Sequence, residues 1–302
     1  MESEVYHIPA LLQESISGLE IKPEGIYVDV TFGGGGHSRA ILEHLGDKGH
    51  LYGFDRDMDA YANAPDDPRF TFVHSDFRFI TNFMQYYGVE QVDGIIADLG
   101  VSFHHFDDPE RGFSFRADSP LDMRMNRSGG MTAADILATY SKEELEQIFH
   151  KYTDLKRINL IVANIVKARD EEPILTTGRL VEVVKRHISP KSEKKDLAQV
   201  FQALRIEVND EMQSLRCLLE QAVHVLRTGG KLAVITYHSI EDRMVKNIIK
   251  SGNVNGEIIQ DIFGRFDTPW KAINRSPIVP TAAEIEANPR SRSAKLRIAE
   301  KI

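Results

Sequence analysis

The 302-residue sequence has one cysteine, Cys217, and one tryptophan. A lone cysteine cannot close an internal disulfide, which excludes the disulfide-stapled secreted scaffolds and agrees with a reducing compartment. Apolar runs such as Leu232 to Tyr237 fall far short of the roughly 20 residues needed to cross a bilayer. The opening stretch MESEVYHIPALLQES carries acids and no basic segment, unlike a secretory signal, so a cytoplasmic protein with no membrane partner is expected. Tracts rich in proline, glycine or serine are missing, as are repeats, so neither a disordered tail nor a solenoid fits. Metal-ligand spacing is missing too. The eleven histidines include no H-x-x-H pair, and adjacent His104 and His105 on an extended segment would point to opposite sides. There is no G-x-S-x-G elbow and no G-x-x-x-x-G-K-[ST] loop, which removes the hydrolase and P-loop readings.

What is present is the composition of an ordinary globule, 42% hydrophobic and 27% charged, long enough for one enlarged domain or two modest ones with a sizeable core. The 37 basic and 45 acidic residues leave a net charge of −8. Taken alone, that balance argues against a nucleic-acid partner, because phosphate binding is largely electrostatic.

Strand and helix patterns alternate along the first hundred residues. Ile26 to Phe32 (IYVDVTF) is a β-branched and aromatic run that stops at Gly33-Gly34-Gly35-Gly36, and His37 to Leu45 follows at helical spacing. Leu51 to Phe54, Phe70 to His74 and Val92 to Ala97 are further strands, the first ending on Asp55 and the last on Asp98. Apolar strands separated by helices predict a parallel sheet covered on both faces. From Asp107 to Gly130 the chain is an aperiodic loop containing RGFSF and PLDMRM, and long loops of this kind in compact domains are usually functional. Helices alone follow: Thr132 to Thr139, Ser141 to Tyr152 with a Ser141/Glu144 capping box, Asp154 to Arg169 and Thr177 to His187. Ala198 to Arg227 reads as one continuous helix stopped by Gly229-Gly230. Lys231 to Tyr237 returns to strand, Glu241 to Lys250 to helix, and Ser293 to Ala299 alternates as a last edge strand. The expected architecture is an α/β domain from residues 1–106 and 210–302, with an all-helical insertion over 107–209.

Four glycines at the carboxyl end of the first strand expose bare main chain above a helix N-terminus, where a ligand can approach closely. A plain strand-to-helix turn needs only one or two. Ser38 stands where G-x-G-x-x-G would place its last glycine, which disfavours a nicotinamide cofactor. Asp55, about 20 residues on, is placed to accept hydrogen bonds from both hydroxyls of a ribose, whereas Asp57 reads as solvated loop charge. Asp76 or Phe77, after the third strand, lies where an adenine would meet it. Asp98 sits at the switch point where open α/β sheets bind ligands. After Lys231 to Tyr237, Ser239 is expected to cap the next helix with Asp242 completing the box, leaving Tyr237 and His238 facing the site.

These segments together resemble a known family, the MraW-type S-adenosylmethionine-dependent 16S ribosomal RNA (cytosine-N4) methyltransferases. The resemblance is carried in order by HIPALLQESISGL, VDVTFGGGGHSRAIL, GFDRD, DDPRF, DGIIADLGVS, DDPERGFSF with PLDMRM, FQALRIEVNDE, TYHSIEDRMVK and NPRSRSAKLR, nearly end to end. It implies a class I methyltransferase fold, a Rossmann-like doubly wound sheet with an all-helical inserted domain serving substrate recognition. It also implies S-adenosyl-L-methionine as cofactor. Gly35, Gly36 and His37 would hold its methionine end, Asp55 the ribose and Phe77 the adenine, with Asp98 across the site and Gly33 and Gly34 completing the loop. One cofactor position departs: the family usually reads DLGVSSPQLD, and here DLGVSFHHFD puts His105 in place of the glutamine, where it can still donate a hydrogen bond. The [DNS]-P-P-[YFW] motif of other amino-methyltransferases does not follow the fourth strand.

Cytosine N4 is a poor nucleophile because its lone pair is delocalised into the ring. Catalysis is then mainly positioning in line with the sulfonium methyl, helped by an acceptor for the amine N–H. Asp98, the Leu99 or Tyr237 carbonyl and His238 are the candidate acceptors, and the sequence does not rank them. Carbon-5 methylation would need a cysteine nucleophile, and Cys217 lies inside a helical pattern. Phe113 and Phe115 are candidates to receive an unstacked base, though such pairs are more often core anchors. Lys/Arg exceed Asp/Glu by five between Lys151 and Arg205 and by four between Arg265 and Ile302. Lys185, Arg186, Lys191, Arg290 and Arg292 are therefore candidate contacts to 16S rRNA, within the small ribosomal subunit. A non-catalytic ribosome assembly factor keeping the same fold is the rival reading. The oligomeric state stays open, a homodimer being among those allowed.

Overall fold

The structure, a computed structural model, describes residues 9–102, 106, 108–258, 260, 263–264 and 266–302. It divides into two compact units, Met1–Gly100 with Met212–Ile302, and Val101–Glu211.

The first unit begins with α1 (Leu12–Leu19), β1 (Ile26–Asp29), α2 (Gly36–His44), β2 (His50–Asp55), β3 (Phe70–His74), α3 (Ile80–Tyr86) and β4 (Val92–Asp98). The second unit contains α4 (Ala133–Thr139), α5 (Lys142–Tyr152), α6 (Ile158–Glu171), α7 (Thr177–Lys185) and α8 (Glu193–Val208). The chain then forms α9 (Glu211–Val225), β5 (Leu226–Thr236), α10 (Ser239–Ser251), β6 (Trp270–Ala272), α11 (Ala282–Ala287) and β7 (Lys295–Lys301).

The strands form one sheet in the order β3-β2-β1-β4-β5-β7-β6, parallel except for β7, which runs antiparallel to both its neighbours. The alternation of side chains along each strand sorts them into two cores. Val28, Tyr52, Ile95, Leu232 and Val234 pack with α3, α9 and α10 on one face. Tyr27, Leu51, Ile96, Ala233 and Ile235 pack with α1 and α2 on the other. This is the doubly wound α/β sheet of class I methyltransferases, and the reversal of strand order falls between β1 and β4. Ligands bind such sheets at that point, beyond the carboxyl ends of the strands.

Three features differ from the sequence pattern. Ser293 to Ala299 was expected at the sheet edge; instead β7 lies between β5 and the three-residue β6, which is too short to leave a periodic signal. The continuous helix expected over Ala198 to Arg227 is two helices, broken at Asn209-Asp210, where Asp210 takes a left-handed φ of 48°. The polar side chains stabilise the break: Asn209 Nδ2 donates to the Arg205 carbonyl, and the Arg205 guanidinium grips Glu211 with two bonds of 2.8 and 2.9 Å. Gly229 and Gly230 lie within β5, and the preceding helix already ends at Val225.

The second unit has its own core, with Ile136, Leu145, Phe149, Ile161, Val162, Leu180, Val184, Val200 and Leu204 all buried. Capping boxes start α4 (Thr132 with Asp135) and α5 (Ser141 with Glu144). Asn209 pins the PLDMRM segment, accepting from the Met125 N–H at 2.7 Å and donating to the Met123 carbonyl at 2.8 Å.

Candidate active site

The carboxyl ends of β1, β2 and β4 and the turn after β5 converge on one set of polar groups. Beyond β1 the chain keeps pairing alternately, Val30 N–H to Ile96 and Phe32 N–H to Phe54, and then turns through the glycines. Gly33 and Gly35 have φ of 49° and 72°, conformations that side chains resist. A Cβ on Gly34 would meet nothing within 4 Å, so bare main chain is open at that point. Gly36 has a different reason: a Cβ there would lie 2.2 Å from Pro9 Cγ. α2 starts on Gly35 with no side-chain cap, so its first N–H groups are available to an anionic or polar ligand.

Asp55, at the end of β2, fastens this turn. Its Oδ2 accepts from the Gly33 N–H and its Oδ1 from the Asp57 N–H, both at 2.8 Å. Asp57 is buried, and its carboxylate caps the following 3-10 turn by accepting from the Asp59 N–H; the reading of Asp57 as solvated charge is corrected. Phe77 is half-buried with the Arg56 guanidinium 5.6 Å from its ring centroid. Asp76 is engaged by Arg56, Arg78 and Ser214 at 3.0 to 3.1 Å. That leaves the Phe77 ring as the better surface for a base.

Asp98 ends β4. Its N–H is fixed by Thr31 Oγ1 at 2.6 Å, and its Oδ1 accepts from the Tyr237 hydroxyl at 2.8 Å. Its Oδ2 lies 3.8 Å from His37 Nδ1, beyond hydrogen-bond reach. Burial pushes the Asp98 carboxyl up to about 7; the Tyr237 hydrogen bond opposes this, and the charges of Asp29 and Glu241 add to it. Asp29 is 1% exposed on β1 and pushed up to about 6 by burial, despite bonds from Ser38 Oγ and the Thr31 N–H. His37 is pushed down to about 4 by burial, and its Nε2 has no hydrogen-bond partner among the described residues.

The turn after β5 corrects another expectation. The N-cap of α10 is His238, not Ser239, and the capping-box partner is Glu241, not Asp242. Glu241 Oε2 accepts from the N–H groups of Tyr237 and His238, and Oε1 lies 3.0 Å from His238 Nε2. His238 therefore engages its own helix through Nδ1, which accepts from the Glu241 N–H at 3.5 Å, while its buried Nε2 has no hydrogen-bond partner among the described residues.

Of the residues picked from sequence, the structure brings Gly33, Gly34, Gly35, His37, Asp55 and Asp98 around one end of the sheet, with Phe77 after the neighbouring β3. His105 lies outside the described residues. Phe113 is 5% exposed, a core anchor of the second unit, and Phe115 packs edge-on against Phe201 at 5.3 Å; neither is placed as a free platform for a base. Lys185 pairs with Glu193 at 2.9 Å, while Arg186, Lys191, Arg290 and Arg292 are exposed. Arg297, counted in the second basic segment, is buried in a bidentate pair with Asp242. Sequence reasoning passed over Asp29 and Glu241, and it named Tyr237 without the bond from its hydroxyl to Asp98. An acid inside the apolar run IYVDVTF was the available signal, since a buried carboxylate costs free energy unless it has a use.

A ligand with a ribose, an aromatic base and a cationic group fits these residues. Asp55 presents a carboxylate at the end of β2, and Phe77 a half-buried aromatic ring after β3. The half-buried carboxylate of Asp98, with the charges of Asp29 and Glu241 near it, gains from a nearby positive charge. An open doubly wound sheet with this arrangement at its switch point is that of a class I methyltransferase. The chain belongs to the MraW methylase family, whose model matches residues 4–302. It is 59% identical over 298 residues to a protein of Parabacteroides distasonis called Ribosomal RNA small subunit methyltransferase H, covering 98% of each. Proteins of the same name from Bacteroides thetaiotaomicron and Flavobacterium johnsoniae are 58% and 51% identical, each covering 98% of this chain and 97% and 98% of their own length.

Proposed function

We propose that this protein transfers a methyl group from S-adenosyl-L-methionine to the exocyclic N4 of a cytidine in 16S ribosomal RNA, acting in the cytoplasm on the small ribosomal subunit. The end-to-end similarity to relatives called Ribosomal RNA small subunit methyltransferase H carries the reading. When bound, the cofactor supplies an electrophilic methyl on a sulfonium.

The chain's own residues supply the rest. Asp55 holds the ribose while tying down the glycine turn, and Phe77 receives the adenine. The open main chain at Gly34, with Gly33, Gly35, Gly36 and His37, surrounds the methionine end. Asp98 is the preferred acceptor for the N4 proton. Its Oδ1 is fixed by Tyr237 and its Oδ2 has no hydrogen bond of normal length to His37, whereas the His238 Nδ1 already accepts the Glu241 N–H. With the amine and methyl held in line, positioning supplies most of the acceleration.

The helical unit is assigned to substrate recognition. Its surplus of five positive charges between Lys151 and Arg205, with Arg186, Lys191, Lys194 and Lys195 exposed, suits a phosphate backbone. Mass spectrometry of 16S rRNA nucleosides from a deletion strain tests the activity. Loss of N4-methylcytidine, restored by the wild-type gene and by purified protein with S-adenosylmethionine, is expected. Retention of N4-methylcytidine in the deletion strain overturns the reading.

A further inference from the structure

The Asp98 carboxylate meets groups from every element around it. Asp29 on β1 and Glu241 on α10 bring negative charge to it, and Glu284 on α11 does the same for Tyr237. His37 on α2 stands 3.8 Å away and is kept neutral by burial. The Tyr237 hydroxyl is the one side-chain donor within hydrogen-bond distance of this carboxylate among the described residues, at 2.8 Å. Tyr237 is itself placed from behind, because Glu241 accepts its backbone N–H at 2.9 Å. Burial and the charge of Asp98 hold the phenol well above its ordinary value, so it remains a donor throughout the neutral range.

We propose that Tyr237 is a positioning residue for cofactor binding, its hydroxyl holding Asp98 in the ionised form and orientation that receive the positive charge of S-adenosylmethionine. The inference rests on the cofactor reading above. Asp98 takes up a proton at about 7 in the free protein, so cofactor affinity rises with pH through that value and levels off above it. Removing the hydroxyl removes the hydrogen bond that favours the ionised form, and the midpoint moves upward.

Isothermal titration of the full-length protein with S-adenosylmethionine from about pH 6 to about pH 9 tests this. Tyr237→Phe keeps the ring and its packing. A rise of the midpoint by about one pH unit makes its binding about five-fold weaker than wild type at pH 7 and nearly equal at about pH 9. Asp98→Asn, which cannot ionise, is expected to bind weakly and without pH dependence over the same range. A loss in Tyr237→Phe that is uniform across pH marks a merely structural role and overturns the proposal, as does an unchanged midpoint. Wild-type protein that binds no S-adenosylmethionine at any pH refutes the cofactor reading itself, a distinct outcome.

Discussion

Replacing Asp55 by alanine separates two roles of one carboxylate. The Gly33 and Asp57 N–H groups each donate to it at 2.8 Å, and the proposed ribose hydroxyls would donate to the same carboxylate. A hydrogen bond to a charged acceptor contributes about 1.5–3 kcal/mol. Losing two ribose contacts therefore weakens cofactor binding by about 3 kcal/mol, or about 150-fold. Releasing the glycine turn costs a further ~1–3 kcal/mol of folding stability, from backbone donors left without their acceptor. Calorimetry reads the first effect and urea denaturation the second. A cofactor analogue with a 2′-deoxyribose distinguishes a ribose contact from a loosened turn. It should bind the wild type about ten-fold more weakly than the parent cofactor, and bind Asp55→Ala with almost no further loss, since the partner of that hydroxyl is already gone. An equal penalty for the deoxy analogue in both proteins would refute the ribose assignment.

Asp98→Asn should stabilise the protein in the absence of cofactor. The folded carboxyl lies near 7 against an ordinary 3.8, so the ionised group destabilises the fold increasingly from about pH 4 to about pH 7 and fully above that. The gain, on the order of 2–4 kcal/mol in urea melts at about pH 8, should vanish by about pH 4. Asn209→Ala strands the buried Met125 N–H and should cost about 2 kcal/mol, with the loss of hydrogen-exchange protection greatest at Met125. Joint Lys191→Glu and Lys194→Glu substitution should weaken small-subunit binding and flatten its log–log salt dependence by about one to two, leaving cofactor affinity unchanged in calorimetry.

The sheet was readable because its strands carry their own signal: β-branched and aromatic runs ending on glycine or aspartate at Gly33, Asp55 and Asp98. The readings that failed were of two kinds. β6 is three residues long, and three residues hold no period. The break between α8 and α9 depends on Asn209 and Arg205 finding partners in tertiary structure, while the apolar stripe runs on through it. In the site, the glycines, Asp55 and Asp98 were legible from their position at strand ends. Capping of α10 by His238 was not, because histidine is a rare cap and the adjacent Ser239 satisfies the usual rule. The burial of Phe113 agrees with the reading that such a phenylalanine pair is more often a core anchor than a platform.

The net charge of −8 opposed an RNA substrate only while charge was treated as one quantity. Asp29, Asp98 and Glu241 are partly or wholly buried around a single point, where they contribute little to the outer surface, and burial makes the ionised forms of Asp29 and Asp98 destabilise the free fold. Such a cluster persists where a cation offsets its repulsion, and a sulfonium cofactor supplies one. The exposed lysines and arginines of residues 151–205 face solvent instead, where a phosphate backbone would meet them. Two ligands of opposite charge thus require opposite local balances in one chain. Raising salt should therefore weaken RNA binding steeply and cofactor binding much less, because the first depends on released counterions and the second on buried groups that salt screens poorly.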